Sequence, residues 1–261
     1  MKPIGRIVLC SWLLLCPSLG FAEPEDWLPP GSSTEMVGNK PLELFKPGTI
    51  FTDQLVYGRL LFRSPEILGE KAVRIGLSCD SCHTNGHINS SFYIDGLSDE
   101  PGSIDVSHRF WQAGFGDLTD NPLSIPTLRD IAKTAPYGTR IIMPDLAAFT
   151  RHVTETEFGG PRLTEQQVQA LIAYMTALEE HGNEPKKISY FRLLEAPLKK
   201  KDFDKIDALV DLLRADAGHR VTDGNRDELT EQIKAINNLR RLAAAKDFVA
   251  AIDFYRSLTR Q

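Results

Sequence analysis

Residues Cys79, Cys82 and His83 form the pattern Cys-x-x-Cys-His, which constrains the chain more than any other feature. This pattern is typical of the covalent attachment of a c-type haem. The two thiols can form thioethers with the vinyl groups on one porphyrin edge, and the adjacent histidine can bind the iron as proximal ligand. We therefore predict one haem c, held covalently by Cys79 and Cys82, with His83 as an iron ligand.

Other uses of the paired cysteines fit the sequence less well. A zinc site needs more ligands, and the remaining cysteines, Cys10 and Cys16, lie near the start of the chain. A thioredoxin-like redox pair is expected in a βαβ context, which the sequence does not indicate. A disulfide between cysteines this close would be strained.

Residues 1–22 are predicted to be a secretory signal peptide. Lys2 and Arg6 begin it, an apolar stretch too short to span a bilayer follows, and small residues precede the cleavage position after Ala22. An uncleaved membrane anchor is the alternative. Because c-type haem is attached outside the cytoplasm, the signal and the haem pattern both predict a periplasmic protein with peripheral or no membrane contact.

The chain carries a formal net charge of −5 over 261 residues. Removal of Lys2 and Arg6 with the signal would make the remainder more acidic still. An acidic protein is not expected to bind nucleic acid or anionic lipid broadly. The charge instead favours encounter with a basic redox partner protein, such as another cytochrome.

The composition and the periodicity predict an all-α protein with four parts. After the signal peptide, residues 23–50 are rich in proline and glycine and are expected to form an extended strap. Residues 51–183 are predicted to be a cytochrome c-like haem domain with long loops, and residues 186–261 a C-terminal helical module. Helical periods dominate throughout, and no alternation typical of strands persists.

Four helices are predicted in the haem domain. The first covers residues 51–62 and is capped by Thr52 or Asp53. A second is expected from Pro126, since proline suits a first helical turn, and a third starts at residues 144–145. The fourth begins at the Thr164 capping box and is expected to end near Gly182.

The other predicted elements are a long loop and three helices. Residues 84–124 are irregular, and a loop of this length is normally functional or wrapped around another group. Its aromatic residues either contact the haem or fill an ordinary core: Phe92, Tyr93, Phe110, Trp111 and Phe115. The C-terminal helices are expected at about residues 203–215, 227–244 and 247–258.

Several stretches between about residues 50 and 180 together resemble the di-haem cytochrome c peroxidase and MauG family. Residues 58–62, ahead of the haem pattern, resemble that family's entry into a haem motif. Residues 125–129 and 134–137 resemble its "PTLRN … TAPY" stretch, and residues 146–178 resemble its closing segment. The resemblance implies that Arg129 and Tyr137 lie near the haem.

The chain also departs from that family. Members carry two haems, with peroxide reacting at one while the other stores or relays an electron, whereas this chain has a single Cys-x-x-Cys-His. Such chemistry would need a second redox protein. The family often places a distal Met or Tyr ligand at about the position of Val153, and valine cannot bind iron.

The sixth iron ligand therefore has several candidates. His152 is the first, being next to the family's ligand position, although its neighbouring place on a helix rotates its side chain by about 100°. Met143, in a short apolar segment that could close over the haem, is the second. Met175 fits the buried stripe of its helix and is more typical of a core residue. His219 lies at a helix end, where a partly charged imidazole is favourable without a metal.

The function predicted from the sequence is that of an exported monohaem c-type cytochrome in one-electron transfer. The alternative is a peroxidase-like or MauG-like oxidoreductase with an open haem, working with a second redox protein. A third hypothesis is a haem-carrying docking subunit whose C-terminal helices bind a partner. The sequence assigns no catalytic residue.

Overall fold

A computed structural model describes residues 40–112, 119–139, 141–185, 188–222 and 224–259. The predicted signal peptide and most of the predicted strap lie outside these residues, as does Phe115. Within them the chain is mostly helical, which confirms the all-α prediction at that level. No helix of the described residues is long and apolar enough to cross a membrane.

The helices follow one another in chain order. They are α1 (Asp53–Phe62), α2 (Glu70–Ile75), α3 (Cys79–Cys82), α4 (Leu146–Arg151), α5 (Glu165–Ala177), α6 (Glu195–Lys200), α7 (Phe203–His219), α8 (Arg226–Ala244) and α9 (Phe248–Thr259). A π-helical segment, His152–Glu157, continues α4 directly. Two short strands, β1 (Ser103–Ile104) and β2 (Leu123–Ser124), pair antiparallel.

Helices α1 and α5 cross at close range and form the centre of the core. A Cβ atom added to Gly58 of α1 would lie 1.8 Å from the Ala170 carbonyl oxygen of α5. Only glycine permits this approach, which buries Leu60 and Phe62 against Leu171. The crossing fixes the position from which the chain enters the Cys-x-x-Cys-His segment.

The predicted helix starts are partly confirmed. Thr52 caps α1 by accepting a hydrogen bond from the Leu55 N–H, and Thr164 forms the predicted capping box with Gln167 at the start of α5. The helix predicted from Pro126 is wrong, because Asp130 adopts a left-handed conformation and only the 3-10 turn Ile131–Lys133 forms. Helix α5 also ends at Ala177, before the predicted stop near Gly182.

In its described parts, residues 84–112 and 119–124, the predicted loop is largely irregular apart from a 3-10 turn and the small sheet. Phe92 and Trp111 are buried, whereas Tyr93 and Phe110 are partly exposed. The Trp111 ring packs on Phe158 with the ring centres 4.8 Å apart. Phe92 and Trp111 therefore belong to the packed core of the fold, and Trp111 joins the loop to the residue that follows the π-helical segment.

The three predicted C-terminal helices are present as α7, α8 and α9, with α7 extending four residues beyond its predicted end. The short helix α6 was not predicted, because Pro197 and a run of lysines argue against a helix there. Leu194, Leu198 and Ile206 are buried and join the core that contains α1 and α5. The C-terminal helices thus pack directly on the preceding part of the chain.

Candidate cofactor-binding site

The short helix α3 brings the predicted haem-attachment residues to one cavity. Ser78 and Ser81 form a reciprocal capping box that starts this single turn immediately before Cys79. Cys79, Cys82 and His83 then line a cavity of about 460 Å³. This volume lies within the range of about 300–1,000 Å³ that is typical of cofactor and ligand pockets.

The cavity wall is largely apolar and comes from several elements. Its main apolar residues are Phe62, Leu68, Leu77, Ile104, Leu123, Ile125, Leu128, Ile131, Ile141, Leu146, Phe149, Val153, Phe158, Leu171 and Met175. A flat, mostly apolar group such as a porphyrin would replace water in such a cavity with favourable burial. The lining therefore fits a haem in chemical character.

The His83 ring is held in place by a backbone carbonyl. Its Nδ1 lies 2.9 Å from the Pro126 oxygen, to which a protonated Nδ1 donates a hydrogen bond. The segment that supplies this carbonyl is fixed by the Leu128 N–H, which donates to the Gly86 oxygen at 3.0 Å. A histidine fixed in this way presents Nε2 as its free metal-binding nitrogen, as metal-ligating histidines commonly do.

Burial sets the protonation of the three residues. It lowers the pKa of His83 to about 4, which outweighs the opposing effect of the Pro126 hydrogen bond. The imidazole is therefore neutral at pH 7, the form that binds a metal. Burial also raises the pKa of Cys79 to about 12 and that of Cys82 further. Thiols of this kind lack the low pKa that is typical of a redox-active Cys-x-x-Cys pair.

The predicted sixth ligands do not line this cavity. His152 lies beside Glu157, with Nε2 3.3 Å from Oε1. Met143 pairs with Tyr137 through two backbone hydrogen bonds of 2.8 and 2.9 Å. In their place Val153 and Ile141 face the cavity, and Met175 supplies its only thioether among the described residues. Ligation by His152 or Met143 stays a prediction that these contacts do not support.

Arg129 and Tyr137 also lie outside the cavity lining. The Arg129 guanidinium donates to the Leu42 carbonyl oxygen and to Glu180. The Tyr137 ring stacks on Phe149, with ring centres 6.2 Å apart. The contacts of Arg129 join three segments of the fold, and direct haem binding by either residue stays a prediction.

Glu157 brings a carboxyl group to the cavity that the sequence did not point to. In the π-helical segment, residues five apart are neighbours, so Glu157 meets His152 and shares the cavity with Val153 and Thr154. Burial raises the pKa of Glu157 to about 7. An α-helical reading of the same residues would place positions 152 and 157 on different faces, which explains why the pair was missed.

The opposite side of α3 meets a cluster of buried charged groups. Asp80, between the two cysteines, lies 3.1 Å from His219 Nδ1 and 3.7 Å from Arg63 Nε. The other imidazole nitrogen of His219 lies 3.2 Å from the Ser78 hydroxyl. The first contact is buried and the second partly buried, so the end of α7 packs directly against the residues that start and form α3.

The rest of this ion cluster joins α1 to α7. Asp216 accepts hydrogen bonds of 2.7 Å from Arg59, Arg63 and Arg220. Glu43 accepts from Arg59 at 2.7 to 3.0 Å. Three carboxylates, including Asp80, thus face three guanidinium groups, and the charges balance.

The guanidinium groups set the protonation of the ion cluster. Burial alone would raise the pKa of each carboxyl group. Arg59 and Arg63 overcome this effect and hold the pKa of Asp216 at about 2. Arg63 likewise keeps the pKa of Asp80 well below its usual range, and Arg59 lowers that of Glu43. All three groups are therefore charged at neutral pH.

Comparison with known proteins gives no relative. No protein-family model matches the chain, and no match is found among characterised proteins or solved structures. The described residues also contain no group of three or more His, Cys, Asp or Glu placed to hold a bare metal ion.

Proposed function

We propose that the chain is an exported c-type cytochrome with a cytochrome c-like fold, carrying one haem and acting in one-electron transfer. One observation carries the proposal: Cys79, Cys82 and His83 line a single apolar cavity, and the Pro126 carbonyl fixes the His83 ring. A bound haem would supply the one-electron redox chemistry. The protein would attach it through the two sulfurs, bind its iron through His83 and exclude water around it.

The partner proposed for this function is a redox protein with a basic surface. The chain has 35 acidic against 30 basic residues. Acidic proteins attract basic partners through long-range electrostatics, which raises the association rate at low salt. The export signal and the covalent haem would place both proteins in the periplasm.

The role of His83 is tested by comparing two histidine variants after expression with c-haem maturation proteins. H83A is expected to lose the absorption bands of normally ligated haem, because it lacks the imidazole that faces the cavity. H87A is the matched control, since His87 bonds to the Thr127 hydroxyl and lies outside the cavity lining. Equal haem spectra for H83A and H87A would contradict the proposal.

A second candidate function is the peroxidase-like one, with an open haem and a second redox protein. The observation that favours it is the cavity lining, which contains Val153 and Ile141 in place of His152 and Met143. Met175 is the remaining thioether in this lining.

An M175L variant separates the two functions. A wild-type ferric spectrum that is low-spin, and that becomes high-spin in M175L, supports electron transfer with Met175 as ligand. A wild-type spectrum that is high-spin and changes with peroxide supports the second candidate.

A further inference from the structure

Two carboxyl groups line the proposed haem cavity, and their surroundings differ. Asp105 accepts hydrogen bonds from the Ser107 N–H, the Ser107 hydroxyl and the Asn121 N–H. Those bonds hold the loop between β1 and β2 and use both carboxylate oxygens. Glu157 Oε1 lies 3.3 Å from His152 Nε2, and no donor from the described residues bonds to Oε2. Glu157 therefore retains hydrogen-bonding capacity toward the cavity.

The hydroxyl groups of Thr150 and Thr154, which also line the cavity, donate their hydrogen bonds to the backbone instead. The Thr150 hydroxyl donates to the Leu146 carbonyl oxygen at 2.7 Å, and the Thr154 hydroxyl donates to the Thr150 oxygen at 2.9 Å. Both groups thus bond back along their own helix. The wall around Glu157 is otherwise apolar, with Val153 and Phe158 as its neighbours in the lining. A polar group in such surroundings bonds strongly to whatever polar ligand reaches it.

The backbone at this position is also unusual. The chain changes from the α-helical to the π-helical pattern at His152, and π-helical turns are rare and frequent at functional sites. This change turns Glu157 toward the cavity while keeping it next to His152.

We propose that Glu157 is the hydrogen-bonding group for a small protic or anionic ligand that enters the haem cavity, with hydrogen peroxide and azide as representatives of the class. The proposal rests on the proposed function, because the ligand would bind in the cavity that holds the haem. His152, in contact with Oε1, positions the carboxyl group. Glu157 is thereby the residue that determines which small ligands the cavity accepts.

The test uses the full-length, haem-loaded protein and azide as the probe, with affinities measured from the ferric absorption spectrum at one fixed pH. The variants are E157Q, which keeps a hydrogen-bonding group, and E157L, which removes it. E155Q is the matched control, because Glu155 lies in the same segment, accepts from the Leu163 N–H and does not line the cavity. Carbon monoxide binding to the ferrous protein serves as the control ligand, because it needs little hydrogen bonding.

We expect E157L to bind azide about tenfold more weakly or worse, E157Q within about threefold of wild type, and E155Q unchanged. Carbon monoxide affinity is expected to be similar in all four proteins. Equal azide affinity in E157L and wild type would overturn the proposal. A haem-loaded wild type that binds no azide would overturn it as well. The proposed cytochrome function would survive both results. Failure to attach haem at all would overturn the proposed function and this inference with it.

Discussion

The two sides of the four-residue helix α3 face surroundings of opposite character, one largely apolar and the other charged. The side with Cys79 and Cys82 faces a largely apolar cavity, whereas Asp80 faces the ion cluster of Arg63, Asp216 and their neighbours. The cavity side leaves room for a group that the chain itself does not supply. The ion cluster instead pairs three buried carboxylates with three guanidinium groups. We infer that the cluster fixes the backbone of α3, which would position the other side for the proposed haem.

The largest effect is expected from Asp216 in the ion cluster. D216N leaves Arg59 and Arg63 buried with one carboxylate fewer, and breaking a buried ion pair costs about 3–5 kcal/mol of unfolding free energy. Urea unfolding followed by circular dichroism measures this loss. E231Q is the control, since the Glu231–Lys234 pair is exposed and should leave the midpoint unchanged. Equal midpoints for D216N and E231Q would show that the cluster does not hold the fold.

The lowered pKa of Asp216 also predicts how the stability of the protein changes in acid. The folded-state pKa of Asp216 is about 2, below its ordinary value, so the unfolded chain binds a proton first as the pH falls. The stability that Asp216 contributes is present above about pH 4 and is lost as the pH falls toward 2. Urea midpoints between pH 5 and pH 2 should therefore drop more steeply in wild type than in D216N. Parallel profiles would contradict this assignment.

A smaller effect is expected where the C-terminal helices meet α3. H219A removes the imidazole between Asp80 and Ser78 and should cost about 1–3 kcal/mol, because Asp80 loses a buried hydrogen-bonding partner. His181 is exposed, and H181A is therefore the matched control. If H219A and H181A unfold at the same urea concentration, α7 does not support α3. Deletion of the C-terminal helices is therefore also expected to disturb α3 and the proposed haem cavity.

An effect of similar size to that of H219A, with the opposite pH dependence to that of Asp216, is expected in the cavity. The folded-state pKa of Glu157 is about 7, above its ordinary value of 4.5, so the folded chain retains a proton that the unfolded chain has released. Stability is therefore lost as the pH rises from about 4.5 to 7, by roughly 1–3 kcal/mol. E157Q should remove this loss, which urea midpoints at pH 5 and pH 8 measure. An unchanged difference between the two midpoints in E157Q would contradict it.

The sequence predicted much of the local structure around the site. The Thr52 and Thr164 caps and the helical C-terminal segment follow from local chemistry that side-chain identity reveals. The helix expected from Pro126 does not form. The residues there are instead irregular and bring the Pro126 carbonyl to His83, a backbone contact that no sequence pattern predicts.

The ion cluster and Glu157 were missed for different reasons. Asp80 and His219 are 139 positions apart in the chain, so their pairing is a tertiary contact without a local signal. His219 could be placed only at a helix end. Glu157 required a change of helical period at His152, and a constant period of 3.6 residues hides it. Long-range pairing and irregular helix geometry thus limit what the sequence alone can predict here.

The most direct test of the central claim is the intact mass of the denatured protein, purified from a periplasm with c-haem maturation proteins. We predict a mass increase equal to one haem, which survives denaturation because both thioethers are covalent. The double variant C79A C82A should show no increase. A wild-type chain at its unmodified mass, with both thiols free to react with an alkylating reagent, would contradict the account.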